Sequence, residues 1–443
     1  MILWSILIGL AICIVIGMPI SFGLGAISLF IFFYSDYSLS PIVAQAVNGL
    51  DSFPLLAIPL FILVGEVMSE GGIATRLVRL ASAMVGFVAG GLGQVAVMTS
   101  MFFGGISGSA VADASAVGSM MIEPMKQHRY SAPMATAIVV AASVVGIIIP
   151  PSIPMILFGV VTNTSISQLF MAGIVPGILI TIGLAMATYL QSKKTGAAQP
   201  FDFQELLAAL KDSVLALLLP IIIVGGILSG VFTPTEASVI AVVYAILVSA
   251  VIYRGFTFAD LWGAFWRAGI MSVAVLMILA GARAFAWVLI IEGVPQAMAD
   301  AVIAMNLSPV AFLLMVNLLL LVFGMFMDPL PGVMILVPIL APIANSLGIA
   351  ADHFAIIVIV NLTFGLITPP VGGLIFVVAS ATNQRPSALI RELPPFFLAA
   401  LVCGSHFVLL TTNSVDVPLL AERAKLQAAH GVPTRCPIYT DSA

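Results

Sequence analysis

The sequence predicts an all-α polytopic membrane protein built from two inverted-topology repeats, each holding a re-entrant helical hairpin and a broken helix. Three observations lead there. Of 443 residues, 61% are hydrophobic and 8% charged, with mean hydropathy +1.22; a soluble domain carries about 25% charged residues, so lipid must solvate most of this surface. Two apolar regions, 80–125 and 302–347, are too long for one span and are interrupted centrally by GGISGSAVAD and MDPLPG. Short motifs also recur at nearly constant spacing. LVGE (63–66) and LAGA (279–282) lie 279 − 63 = 216 apart, and GIIIPPS (146–152) and GLITPPV (365–371) lie 365 − 146 = 219 apart. Asp113 and Asp328, each in a hairpin break, lie 328 − 113 = 215 apart.

A spanning helix needs roughly 20 apolar residues. Spans or half-spans are expected at 2–17, 19–34, 54–75, 132–160, 168–191, 214–230, 232–253, 268–291, 355–378 and 394–412, beside the two hairpin regions. The first residues, MILWSILIGLAICIVIGMPISFG, lack a basic leader and a small-residue cleavage site, so they read as a retained span. Residues 1–53 are expected to be N-terminal scaffold helices, and 54–191 repeat one, with its hairpin at 80–125 and its broken helix at 132–160. Residues 192–267 are expected to add further scaffold and an amphipathic connector, FDFQELLAALKDS (201–213), lying along the membrane interface or bridging as a surface helix. Repeat two is expected at 268–412, with its hairpin at 302–347 and broken helix at 355–378, followed by a tail at 413–443.

Sidedness follows from Lys and Arg, which accumulate in cytoplasmic loops. Arg76/Arg79, Lys126/Arg129, Lys193/Lys194/Lys211, Arg254/Arg267 and Arg385/Arg391 form successive clusters separated by even numbers of spans. The first hairpin is flanked by such clusters and is expected to enter from the cytoplasm. The second is flanked by Glu292, Asp300 and Asp352 and is expected to enter from outside. Equal element order with opposite sidedness is the signature of inverted repeats.

In hydrocarbon every backbone N–H and C=O needs an internal partner, so irregular backbone persists only when enclosed by protein or lining a cavity. GGISGSAVAD, GIIIPPSIP, MDPLPG and GLITPPVGG are four such interruptions, one tip and one Pro-Pro break per half. Proline removes a donor and clashes with the preceding turn, which frees carbonyls suited to a hard cation such as Na+. Helix N-termini at the tips carry positive partial charge and suit an anionic substrate. One cation site per half is therefore expected where tip meets break, with substrate between the two. Asp113 and Asp328 read either as members of those sites or as caps of the helices they begin. Glu66 and Arg283 read as cavity-facing or as a structural ion pair, with Arg283 also a candidate partner for a substrate carboxylate. TPTE (233–236) reads as a capping box with a first-turn proline.

No basic patch suggests nucleic acid, and neither the scattered histidines nor Cys13, Cys403 and Cys436 show metal-ligand spacing. A membrane enzyme would need a convergent nucleophile, base or metal set, and none is present; no resident cofactor is expected. No ligand-binding domain is expected beside the spans, so one would be a separate chain.

FILVGEVMSEGGIATRLV, FFGGISGSAVADASAVGSMMIEPM, GIIIPPSIPMILFG, GVFTPTEAS, FGMFMDPLPGVMILVPIL and FGLITPPVGGLIFV resemble, in order, the large membrane subunit of TRAP (tripartite ATP-independent periplasmic) transporters. The resemblance implies an elevator-type secondary transporter in the bacterial inner membrane. A Na+ gradient would drive import of small organic acids, such as C4-dicarboxylates or sugar acids, delivered by a periplasmic binding protein alongside a small four-helix membrane subunit. Carried over by position, one cation site would involve Ser107, Ala110 and Asp113 with Pro150, Ser152 and Pro154. The other would involve Gly324 and Asp328 with Thr368, Pro369 and Gly372. Gly105, Ser109, Pro151, Pro370 and Arg283 are the candidate substrate contacts. MDPLPG carries one proline more than the smooth tip usual in the family. The alternative is a one-component Na+- or H+-coupled anion transporter of the same superfamily.

Overall fold

The computed structural model describes residues 9, 12, 13, 16, 18–35, 40–192, 200–305, 307–369 and 371–410. Among these the regular structure is entirely helical, and eight helices are long and apolar enough to cross a membrane. The expected span 2–17 and the 413–443 tail lie largely or wholly outside the described residues, as does Pro370.

The helices form two groups that also pack on each other. The first contains α1 (Ile20–Tyr34), α2 (Ser40–Asn48), α3 (Ala57–Glu70) and the amphipathic α4 (Ile73–Val85). It continues after a long gap in sequence with α11 (Phe203–Leu228), α12 (Pro234–Leu247) and α13 (Phe258–Ile291). Helix α13 packs along α1, α2 and α3, while α12 lies on α3 and α4 on α11. Capping is local and legible. Thr233 and Glu236 close a capping box at α12 with Pro234 in its first turn, and Thr257 and Asp260 do the same at α13.

The second group holds the hairpins. Helices α5 (Gly91–Ser107) and α6 (Ala110–Gln127) form the first, followed by the interrupted run α7 (Ala132–Ser143), α8 (Val145–Ile148) and α9 (Ile153–Thr162), then α10 (Ile166–Ser192). A short α14 (Val294–Ala304) leads into the second hairpin, α15 (Pro309–Phe326) and α16 (Pro329–Ser346). The interrupted run α17 (Ala351–Gly365) and α18 (Gly373–Ala381) follows, then α19 (Pro386–Glu392) and α20 (Pro394–Leu410). Each interrupted run packs on its own hairpin, and α10 packs along α20. The two groups meet through α4 on α5 and α13 on α16. The run α7–α9 is the most enclosed apolar stretch, with 83% of its 18-residue window buried against 28% for α11. Enclosure is what permits irregular backbone at its centre.

Two boundaries differ from expectation. The first hairpin begins at Gly91, because 73–85 forms the separate helix α4 and a left-handed Gly90 (φ 81°) turns the chain into α5. The connector 201–213 is no separate arm: it is the first half of the 26-residue α11. Its Glu205 and Asp212 hold Arg79 and Arg76 of α4 at 2.8 and 3.2 Å, and Arg76 also stacks over the Tyr253 ring at 3.5 Å. The amphipathic helix that stands apart from the long helices is α4.

Candidate functional site

The first hairpin is sharp because of its glycines. Ser107 ends α5, Gly108 takes the left-handed φ of 61° that non-glycine residues disfavour, and Ser109 caps α6 by accepting from the Ala112 N–H at 3.4 Å. The tip is seated directly on the first break. A Cβ on Gly108 would lie 2.9 Å from the Pro151 carbonyl oxygen, and one on Gly105 would lie 3.5 Å from that of Pro150. A prolyl N has no hydrogen to donate, and Ile149 to Ser152 are non-helical; Ser152, wholly buried, restarts the run as N-cap of α9, with Pro154 in its first turn. The structure thus brings Gly105 to Pro150 and the Gly108 turn, flanked by Ser107 and Ser109, to Pro151 and Ile153.

Asp113 sits one turn further along α6, fully buried, and neither carboxylate oxygen has a hydrogen-bond partner. The Ser100 and Ser143 hydroxyls, from α5 and α7, face it without closing a hydrogen bond, and a Cβ on Gly146 would lie 3.7 Å from Asp113 Oδ2. Thr99 and Ser100 are wholly buried with unpartnered hydroxyls, and Ser143 bonds only its own helix, at Val139 O. A carboxylate in such a place costs several kcal/mol unless a proton or cation accompanies it. Among the described residues no three His, Cys, Asp or Glu side chains cluster. A cation here would therefore be held by one carboxylate and hydroxyls, an oxygen set that suits a hard cation. Ser100 and Ser143 carry no sequence signal beyond being hydroxyls in apolar helices.

In the second half the tip again meets the interrupted helix through glycine. A Cβ on Gly324 would lie 2.6 Å from Leu362 O and 3.1 Å from Gly365 Cα. The corresponding crossing in the first half is Gly104 on Gly146. The break itself runs from Leu366 to Gly372, whose φ of 49° starts α18; Thr368 bonds back to Phe364 O at 2.7 Å, and Pro369 precedes the undescribed Pro370.

The two aspartates are not structural counterparts. Helices α6 and α16 begin at Ala110 and Pro329, so the offset is 329 − 110 = 219. By that offset Asp328 matches Ser109 and Asp113 matches Gly332, four residues or one helical turn away from the sequence alignment at 215. Asp328 is the N-cap of α16, accepting from Leu330 N–H at 3.0 Å, and is only partly buried. Its hydrogen bond is to its own helix, and among the described residues none reaches the break. The buried polar centre of the second half is amide-based instead. Asn361 of α17 donates to Asn317 of α15 and to Ile357 O, while the Thr363 hydroxyl is buried without a partner.

Of the two readings of Glu66 and Arg283, cavity-facing or a structural ion pair, the pair is not made. Glu66 and Glu70 of α3 pair with Arg267 of α13 at 2.7 and 2.9 Å, tying those two helices. Arg283 instead lines a cavity of about 770 Å³ at the opposite helix ends, with no hairpin-tip residue in its walls.

Comparison with known proteins gives these features a setting. The model of the family "Tripartite ATP-independent periplasmic transporter, DctM component" matches residues 7–412. A Paracoccus pantotrophus protein named for a dicarboxylate transporter subunit is 81% identical over 186 residues, 42% of this chain and 89% of that one. The C4-dicarboxylate TRAP transporter large permease protein DctM of Pseudomonas aeruginosa is 39% identical over 89% of this chain and 92% of its own length. The sialic acid TRAP transporter large permease protein SiaM of Vibrio cholerae is 36% identical over 87% and 91% respectively. Among solved structures, the YdaH transporter of Alcanivorax borkumensis superposes with a TM-score of 0.57 at 16% identity, covering 84% of this chain and 88% of that one. At that identity it speaks for the fold alone.

Proposed function

This chain belongs to the DctM-component family of tripartite ATP-independent periplasmic transporters, and from that premise we propose that it is a Na+-driven importer of small dicarboxylates in the bacterial inner membrane. A periplasmic binding protein delivers the substrate, and a small membrane subunit completes the permease. The observation that carries the coupling is Asp113: a fully buried carboxylate with no hydrogen-bond partner, faced by the Ser100 and Ser143 hydroxyls, beside a tip seated on the carbonyls of a Pro-Pro break. Na+ entering there neutralises the carboxylate and locks tip to break. Asp328 supplies a second, more accessible charge at the other tip, and the substrate anion lies between the two tips. The substrate class is supported by relatives named for dicarboxylates. The hairpin group moves against the α1–α3 and α11–α13 group, elevator fashion, since the tips are packed too closely on their breaks to open by themselves.

The test is succinate uptake into proteoliposomes holding this chain and its small subunit, with and without a Na+ gradient and the binding protein. Uptake that needs both supports the reading. Na+-independent uptake sinks the coupling, and uptake without the binding protein favours a one-component carrier.

A further inference from the structure

The cavity that holds Arg283 lies at the seam between the two helix groups. Its walls come from Gln45–Pro54 of the α2–α3 connection, Gly159–Ser167 of the α9–α10 turn, and Gly230–Pro234 of the α11–α12 turn. Asn163, left-handed at φ 55°, ends α9 and turns the chain so that Thr164, Ser165 and Ser167 face the space. These turns sit at the helix ends opposite the Arg76, Arg79 and Arg254 end, where lysine and arginine concentrate. Arg283 is the one described Lys or Arg at this cation-poor, outward end.

Its guanidinium is built in rather than dangling. Gly49 leaves room for the stem, because a Cβ there would collide with Arg283 Cγ. Nη2 reaches only a long 3.5 Å contact to Val160 O, and Nε is buried with no partner at all. Buried donors are rarely left unmade, and an arginine's planar fork matches a carboxylate in two parallel bonds. The one acid in the wall, Asp51, is exposed at the rim and forms no bridge to Arg283, so water screens it more than the floor of the cavity.

We propose that this cavity is an outer vestibule in which Arg283 captures the carboxylate of the incoming organic acid before it reaches the hairpin tips. It is a site separate from the one between the tips, and it rests on the reading of the chain as an importer of organic anions. Because α13 carries Arg283 while α9 supplies Val160, the site spans the seam and is remade whenever one group moves past the other.

The test reads charge rather than transport. In intact cells expressing the full chain with its small subunit, Cys13, Cys403 and Cys436 are replaced by Ser and Ser165→Cys is introduced. Membrane-impermeant methanethiosulfonates, one sulfonate-bearing and one trimethylammonium-bearing, are added outside. The anionic reagent is expected to be favoured at Ser165→Cys, with succinate slowing it. The anionic-to-cationic rate ratio should fall about fivefold in Arg283→Gln, since one charge acts oppositely on the two reagents. Arg283→Met, which keeps the apolar stem against Gly49, should give the same fall, and Arg283→Lys should retain most of the preference. A ratio unchanged in both Arg283→Gln and Arg283→Met, or a Ser165→Cys unreachable from outside, overturns the site. Failed succinate uptake with an intact charge preference would sink the transport reading and leave the vestibule standing.

Discussion

Gly104 and Gly146 touch backbone to backbone: a Cβ on Gly146 would lie 2.8 Å from Gly104 Cα, and one on Gly104 closer still to Gly146 Cα. This contact fixes how near α5 comes to α8, and so places the tip on the Pro150–Pro151 carbonyls. The Gly324–Gly365 crossing does the same in the second half.

Gly104→Ala is therefore expected to destabilise by about 1–3 kcal/mol, the usual range for overpacking, and to abolish uptake. Gly25→Ala, where an added Cβ meets nothing within 4 Å, is the control and should be silent. Thermal melting in detergent, followed by fluorescence-detected size exclusion, reads both. Equal melting temperatures would show that the crossing is loose.

Na+ should stabilise the folded chain through Asp113 even when nothing is transported. At a hundred times its dissociation constant a ligand adds about 2.7 kcal/mol, so melting in NaCl should exceed melting in KCl. Asp113→Asn is expected to erase that difference while folding well, because a neutral amide relieves the buried charge. A Na+ effect that survives in Asp113→Asn would move the ion elsewhere.

Ser100→Ala and Ser143→Ala each remove one hydroxyl oxygen facing Asp113. Each should raise the Na+ concentration for half-maximal uptake by roughly tenfold, the equivalent of about 1.4 kcal/mol, with the maximal rate largely kept. An unchanged Na+ dependence in both variants would leave the hydroxyls as mere packing.

Asp328 combines a cap with a charge, and two substitutions separate them. Asp328→Ser keeps an acceptor for the Leu330 N–H and should be within about 0.5 kcal/mol of the parent, while Asp328→Ala should lose about 0.5–2 kcal/mol. If the charge serves the ion, both variants lose Na+-driven uptake. Full uptake in Asp328→Ser would reduce Asp328 to a cap.

The hairpins, the breaks and the lipid-solvated class were legible in the sequence because glycine and proline are costly in hydrocarbon wherever backbone is not enclosed. The pairing of carboxylates was not. Two aspartates at similar depths in matched motifs align by eye, yet a four-residue slip puts one on a cap and the other inside the hairpin. Glu66 likewise gave no hint that its cation was Arg267, one residue in a 34-residue helix, rather than Arg283. Ser100, Ser143, Asn317 and Asn361 were unreadable for another reason: single polar residues in apolar helices acquire meaning only when the fold sets them face to face.

The wholly enclosed Asp113 has a kinetic consequence. Asp113, Thr99, Ser100 and Ser143 are all without solvent exposure, so an occupant cannot arrive by diffusion through an open mouth. Its exchange must wait for the protein to breathe. At saturating salt its arrival rate should plateau at the frequency of the movement that exposes it, whereas at the partly buried Asp328 it should keep rising with bulk concentration. The two carboxylates would then act on different clocks, with Asp113 setting the slower one.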